Sequence, residues 1–167
     1  PLARPGVRRS ALVIRSTAVT LERHELVGPG DAPDAAVGEV QEYWYEPDGA
    51  VIRARLLGLL AEDLNAHMLD EHIAYMTSDR FTPTPFAQGF RITQELSAKE
   101  KLLARELRAL DIGTLEIKKR GFDVNPSELR KRLKLRGNGK ATLILTRVNG
   151  HHRAFLAERV TKSTTTP

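Results

Sequence analysis

The chain has 167 residues, of which 41% are hydrophobic and 28% are charged, a balance that fits one ordinary soluble globular domain and excludes a wholly disordered chain. It contains no cysteine, which excludes disulfides, cysteine nucleophiles and zinc–thiolate sites and is compatible with the cytoplasm, where we expect the protein. No stretch reaches the roughly 18 consecutive apolar residues of a membrane span, and we expect no membrane partner.

The net charge of +5 is unevenly distributed along the chain. Residues 1–85 contain 8 Lys and Arg against 13 Asp and Glu, whereas residues 86–160 contain 17 against 8. The basic character belongs to the second half, so an acidic partner is expected to bind there.

In the first half, short strands and one helical segment are predicted. Two β-branched runs, 11–15 and 18–23, predict a hairpin, and the Gly- and Pro-rich stretch 27–38 predicts a linker. Asp48 is the expected N-cap of an amphipathic helix over 50–68, with a possible break near Gly58. The other predictions are strands at 40–45 and 73–77, a turn at 46–49, and an extended or looped segment at 81–86, where prolines restrict the backbone.

From residue 89 onward the predicted order is β-α-β-α-β-β. Ser97 and Glu100 have the spacing of a capping box, and Asn125 before Pro126 marks a second helix start. The helix after Ser97 is expected to bury Leu102, Leu103, Leu107 and Leu110. Strands are predicted at 89–96, 114–119, 141–148 and 152–160, with a hairpin turn at Asn149-Gly150.

The fold class predicted from this order is α+β. It consists of a small sheet with helices on one face, preceded by an N-terminal hairpin and a helical segment. The polar residues 161–167 are expected to be a disordered tail.

The most informative segment for function is the basic stretch 115–136. Its candidate nucleic-acid-binding residues are Lys118, Lys119, Arg120, Arg130, Lys131, Lys134 and Arg136. Arg132 lies in the same basic run. Lys and Arg bind phosphates, and the helix start at Asn125 would add backbone N–H donors. Aromatic residues make up only 5% of the chain, which favours backbone and shape recognition over base stacking. The alternative is a solvated charged face.

No catalytic residue and no metal site are expected. His67 and His72 lie near Asp70 and Glu71 but show no convincing ligand pattern. Glu46, Asp48 and Arg53 surround the predicted helix start, where they would form a local ion pair or contact another domain. Acid–base catalysis by Glu46 and Asp48 would lack a nucleophile or metal beside it.

Three stretches carry a resemblance to a known family: Tyr45-Glu-Pro-Asp-Gly-Ala-Val-Ile-Arg-Ala54, Thr84-Pro-Phe86, and Leu115-Glu-Ile-Lys-Lys-Arg-Gly121 leading into Pro126 and Leu133. In this order they resemble the THUMP-like C-terminal domain of class I S-adenosylmethionine-dependent methyltransferases of actinobacterial type. Residues 1–25 look like the last strands of the preceding catalytic domain.

The resemblance implies a layout of residues 1–38 as the end of the methyltransferase domain plus linker, 39–160 as the THUMP-like domain, and 161–167 as the tail. It implies a parent enzyme that binds S-adenosylmethionine in a domain absent from this chain, so that the chain itself binds no cofactor. The implied partners are RNA, as tRNA or rRNA, and the chain's own methyltransferase domain. A docking domain that stabilises the methyltransferase without touching RNA is the alternative, and an independent enzyme is a third reading that nothing in the sequence supports.

Overall fold

The computed structural model describes residues 8–16 and 19–160, which form nine strands and four helices. The strands are β1 (Arg8–Ser16), β2 (Leu21–Pro29), β3 (Tyr43–Pro47), β4 (His67–Asp70), β5 (Ile73–Ser78), β6 (Ala87–Leu96), β7 (Ile112–Lys119), β8 (Gly139–Val148) and β9 (His151–Arg159). The helices are α1 (Gly49–Ala54), α2 (Leu57–Leu64), α3 (Glu100–Ala109) and α4 (Pro126–Leu133).

The described strands form a hairpin and one large sheet. β1 and β2 pair with each other, in antiparallel register from Arg8–Pro29 to Ser16–Leu21. The other seven strands have the order β4-β5-β3-β6-β9-β8-β7, in which β7 and β8 are parallel and the remaining neighbours are antiparallel. The parallel pair is joined through α4, as a crossover connection requires. The predicted α+β fold with its N-terminal hairpin is confirmed.

Two apolar clusters attach helices to the same face of the sheet. At the β7–β8–β9 end, Leu103 and Leu107 of α3 and Leu129 and Leu133 of α4 pack on inward residues of these strands. At the β3–β5 end, α1, α2 and the hairpin pack on Tyr45, Met76 and Ala87. Spacing of three and four residues in the helices, and of two in the strands, puts these side chains on facing surfaces.

The opposite face of the sheet is shielded from solvent because the sheet curls over it. Trp44 lies at its centre, fully buried, with its ring 5.1 Å from that of Tyr75 and 5.5 Å from that of Phe155. The backbone N–H of Asn149, in the β8–β9 turn, donates to the carbonyl of Leu69 in β4 at 3.0 Å. The sheet therefore curls until its edge strand β4 touches the β8–β9 turn, close to the opposite edge. We call the inner side of this curl the concave face.

The segment predicted as one helix over 50–68 is two short helices followed by a strand. Arg55 ends α1 in a left-handed conformation with φ of 55°, and Asn65 ends α2 in the same way with φ of 47°. Residues 67–70 then form β4. Asp48 caps α1 as predicted, accepting from Ala50 N at 2.9 Å. The turn predicted at 46–49 is partly wrong, because Glu46 and Pro47 still belong to β3.

The predicted capping box at Ser97 is wrong. The backbone N–H of Ser97 donates to the carboxylate of Glu106, further along the helix, at 2.8 Å, while Glu100 pairs with Arg132 of α4. Lys99 becomes the cap residue, without a side-chain cap bond. Leu102 and Leu110, predicted to be buried, are exposed at the side of α3.

Two other turn signals are confirmed. Asn125 accepts from the N–H groups of Ser127 and Glu128 at 2.9 and 3.3 Å, with Pro126 in the first turn of α4. Asn149 and Gly150 both have positive φ, 47° and 79°, as a tight hairpin turn requires. The linker predicted over 27–38 begins later, since β2 runs to Pro29. The predicted tail at 161–167 lies outside the described residues.

Candidate nucleic-acid interface

Strand alternation separates the cations of β7. Lys118 points to the concave face, where its Nζ lies 2.8 Å from Glu46 Oε2 and 3.5 Å from Glu116 Oε1. It also lies 5.4 Å from the centroid of the Phe90 ring. Only 19% of the Lys118 side chain is exposed, so its charge is balanced within the chain. Lys119 points the other way and is exposed.

Arg120 also lies on the concave side. Its guanidinium lies 5.2 Å from the centroid of the Tyr75 ring, and its Nε is buried. Burial raises the pKa of Tyr75, and the nearby Glu46 carboxylate raises that pKa further against the opposing effect of Arg120. This tyrosine is therefore a neutral phenol, and Arg120 serves mainly as its packing partner.

The cations of α4 divide in the same way into paired and available side chains. Lys131 pairs with Glu128 at 3.0 Å, and Arg132 makes a two-bond contact with Glu100 at 2.9 and 3.0 Å. The bonds from Arg132 hold the pKa of Glu100 below its ordinary value, against a smaller effect of burial. Arg130 is exposed but uses its Nε to bind the carbonyl of Leu115 at 2.9 Å.

Four exposed cations follow the outer edge of β7. Lys119 is at its C-terminal end, and Arg130 is bonded to its middle at Leu115. Lys134 and Arg136 follow α4, next to Gly137, whose backbone lies against Gly113 at the start of the strand. Within the described part of the chain, none of the four pairs with a carboxylate. We call Lys119, Arg130, Lys134 and Arg136 the basic edge.

Two other groups in the basic stretch, the N–H groups that start α4 and the ring of Phe122, already have partners within the chain. The N–H groups at the start of α4 are bound by Asn125, so the extra phosphate donors expected there are not available. Phe122 stacks on His152, with ring centroids 4.4 Å apart and planes inclined by 37°. Contacts to a polyanion would therefore come from Lys and Arg side chains, with little stacking.

The three residues around the first helix start do not meet each other. Glu46 binds Lys118 across the concave face. Asp48 caps α1 and lies 3.9 Å from Arg15 of the hairpin. Arg53 instead borders a shallow depression with Arg9 and Arg55.

Histidines and carboxylates do not gather into a metal-binding group. Among residues 8–16 and 19–160, no three His, Asp or Glu side chains are close enough to hold an ion together. His67 bonds the carbonyl of Glu39 at 2.7 Å instead. Asp70 accepts from the backbone N–H groups of His72 and Gly150, which fixes two adjacent turns.

A cleft that the sequence did not reveal lies between the hairpin and the loop before β6. It encloses about 440 Å³, and its lining includes Arg15 and His24 of the hairpin, Phe81 and Thr84 of the loop, and Arg159 at the end of β9. These residues lie far apart in the sequence: Arg15 donates to the carbonyl of Pro85 at 2.7 Å across 70 residues. No local pattern could have brought them together.

The structure is an α+β fold in which the basic edge follows the last strand of the sheet order, β7. In comparison with known proteins, residues 87–159, which run from β6 to β9, match the THUMP domain-like family. The resemblance to the THUMP-like domains of methyltransferases is confirmed.

The relatives carry the methyltransferase name. An uncharacterized S-adenosylmethionine-dependent methyltransferase of Mycobacterium tuberculosis, found in two strains, is 35% identical over 147 residues, covering 88% of this chain and 38% of the relative. The crystal structure of a Porphyromonas gingivalis protein, provisionally described as a methyltransferase, superimposes with a TM-score of 0.70 and 20% identity. The superposition covers 90% of this chain and 38% of the Porphyromonas gingivalis chain, and it supports the fold.

The chain thus spans about two fifths of the length of these relatives. None of the helices described here is both long and apolar enough to cross a membrane.

Proposed function

We propose that this chain is the RNA-binding, substrate-presenting part of an S-adenosylmethionine-dependent methyltransferase. The observation that carries the proposal is the basic edge, which lies within the THUMP-like segment. S-adenosylmethionine would bind in the part of the enzyme outside this chain. In this proposal the chain itself contributes no catalytic residue. With tRNA or rRNA as the substrate, the enzyme would act in the cytoplasm.

The chemistry of the basic edge suits a phosphate backbone. Its four cations extend along a strand of eight residues, about 26 Å at the rise of a β-strand. Cations free of carboxylate partners can exchange small counterions for phosphates, which supplies affinity without base recognition. Lys118 and Arg120 are not part of this surface in the proposal, because their charges face the interior of the curled sheet.

The experiment is a titration of the chain with bulk tRNA and ribosomal RNA fragments at low and moderate salt. We expect micromolar binding that weakens steeply with salt, as is typical of phosphate contacts. The variant Lys119→Ala/Lys134→Ala/Arg136→Ala should bind more weakly, and the slope of log K against log salt should fall by about 1 for each phosphate-binding cation that is removed.

The matched control removes three other exposed arginines, as Arg23→Ala/Arg80→Ala/Arg91→Ala. It changes the net charge by the same amount but leaves the basic edge intact. Equal weakening of RNA binding in both variants would mean that total charge alone attracts RNA, and no binding by the unmodified chain would exclude the proposed function.

The hairpin supports a second candidate function, docking onto the methyltransferase portion. Its inward residues Ala11 and Leu26 are buried, but four apolar residues on its outer side are exposed, and within the described residues neither strand pairs with a third. These four, which we call the apolar stripe, are Leu12, Ile14, Leu21 and Val27. An apolar stripe of this kind favours an intramolecular interface. Docking and RNA binding use different surfaces and are compatible.

A further inference from the structure

We propose that the cleft between the hairpin and loop 81–86 binds a single-stranded nucleotide of the RNA substrate, base and phosphate together. The inference deepens the proposed function and rests on it. It gives a role to residues that the basic edge leaves unexplained.

Two of the three stretches that carry the family resemblance meet at this cleft. Tyr45 from the first stretch and Thr84 and Pro85 from the second line it. Their backbones are joined where the N–H of Asp48 donates to the carbonyl of Phe86 at 2.8 Å. Arg15 of the hairpin closes the arrangement by binding the carbonyl of Pro85. The cleft is therefore held by hydrogen bonds between three separate segments.

One wall of the cleft is flat and apolar. The rings of Phe81 and Tyr45 stack with centroids 5.9 Å apart and planes inclined by only 4°. Phe81 is held against Gly89, where a Cβ atom would approach its ring to 2.3 Å. The hydroxyl of Tyr45 accepts from the backbone of Thr82 at 2.7 Å, which fixes the loop. Tyr45 is fully buried and supports the wall from behind, so the surface that would meet a planar base is the partly exposed ring of Phe81 beside the loop prolines.

The opposite side of the cleft carries two guanidinium groups and an imidazole. Arg15 and Arg159 each expose 46% of their side chains, and His24 exposes 32%. Arg159 is oriented by Gln88 at 3.2 Å and by Glu116 at 3.4 Å. Among the described residues that line the cleft, the one carboxylate is Glu22, 3.3 Å from His24. Oriented guanidinium groups beside an apolar wall are suited to a phosphate attached to a base.

The volume and the strand pairing favour a nucleotide over a peptide. About 440 Å³ lies within the usual range of small-ligand sites. A peptide that bound as an added strand would need a free sheet edge several residues long. In β6, which forms the floor, β3 pairs residues 87–91 and β9 pairs residues 90–96, and the N–H of Val160 donates to the carbonyl of Gly89. Among the described residues at the start of β6, only Ala87 and Gln88 therefore lack a backbone partner on the β9 side.

The test measures binding of a short, labelled, 5′-phosphorylated single-stranded oligoribonucleotide to the whole chain, by fluorescence anisotropy and by amide NMR shifts. We expect saturable binding with shifts at Gln88 and Gly89. The variants Arg159→Gln and His24→Ala should each weaken it by about tenfold, the effect of losing one hydrogen bond to a charged group. The control is Arg23→Gln, on the outer face of the same hairpin beside His24.

The outcomes separate this inference from the proposed function. Changing the basic edge (Lys119→Ala/Lys134→Ala/Arg136→Ala) should reduce binding of structured RNA but leave the oligoribonucleotide at the cleft. If structured RNA binds but the oligoribonucleotide does not, or binds equally to Arg159→Gln and Arg23→Gln, the cleft is not a nucleotide site. Shifts caused instead by a peptide from the methyltransferase portion would also overturn the inference. Circular dichroism of each variant shows that the fold is kept.

Discussion

Lys118 and Lys119 are neighbours in the sequence with opposite surroundings. Strand alternation turns Lys118 toward Glu46, 72 residues away, and leaves Lys119 in solvent. The sequence shows two adjacent cations, and only the curvature of the sheet distinguishes them. A basic run is therefore a weak guide to which of its members can reach a ligand.

Replacing Lys118 should mainly affect stability. We expect Lys118→Met to lower the free energy of unfolding by about 1 to 2 kcal/mol, because a partly buried Glu46 carboxylate loses its partner. Urea denaturation measures this, and Lys119→Met should change the same quantity by less than about 0.5 kcal/mol. A double-mutant cycle with Glu46→Gln isolates the pair, and a coupling energy near zero would contradict this role.

Asp70 makes stability depend on pH. Burial raises its pKa, but the N–H groups of His72 and Gly150, together with Arg147, outweigh burial and hold the pKa below its ordinary value. A carboxyl group with a depressed folded-state pKa stabilises the fold above its unfolded-state pKa, and that stabilisation is lost as pH falls through the folded-state value.

We therefore expect the free energy of unfolding to decrease as pH falls from about 5 to about 2, where such carboxylates are protonated. The variant Asp70→Asn should show a flatter profile in denaturation experiments over this range. Asp79→Asn, at an exposed aspartate, is the control. If both variants have the slope of the unmodified chain, the hydrogen bonds to Asp70 contribute no pH dependence.

At the scale of the element, local signals were reliable where the capping group lies next to the backbone it binds. Asn125, Pro126 and the Asn149-Gly150 turn were predictable for that reason. The box at Ser97 failed because Glu100 has a stronger partner in Arg132, on a helix 32 residues away. The helix over 50–68 failed because its apolar spacing says nothing about the left-handed residues Arg55 and Asn65 that end each half.

The two helix starts give a direct comparison. Asn125→Ala should destabilise the chain by about 1 kcal/mol, since it removes an acceptor for two N–H groups of α4. Ser97→Ala should cost less, because the Ser97 hydroxyl accepts only from Lys99 N, outside the helix, at 3.2 Å. Thermal unfolding of both variants would rank them, and equal destabilisation would indicate that Ser97 acts as a cap after all.

At the scale of the whole molecule, the apolar stripe of the hairpin predicts a difference between this chain and the proposed longer methyltransferase. Leu12→Ser/Ile14→Thr should leave the melting temperature of this chain nearly unchanged, because both side chains are already exposed, at 44% and 54%. In the longer polypeptide the same change should lower it by several degrees, through loss of apolar burial. Equal effects in both proteins would mean that the stripe stays in solvent.

The overall fold class could be predicted because hydrophobic period and turn chemistry are local. The cleft could not, because Arg15, Phe81 and Arg159 meet only after the hairpin, the loop before β6 and the central strands of the sheet are in place. The basic edge falls between these cases: its members were all in the predicted set, but their separation from Lys118 and Arg120 required the fold.

The concave face sets a minimum length for the part of this chain that could move between genes as a folded unit. Phe90 and Phe155 lie within residues 87–159, but Trp44 and Tyr75, which cover them, lie outside it. Recombination that moved only the matched segment into another gene would carry half of an aromatic core and an open sheet edge at β6. The unit that evolution can transfer intact is thus longer than the family segment, and strands β3 to β5 must travel with it.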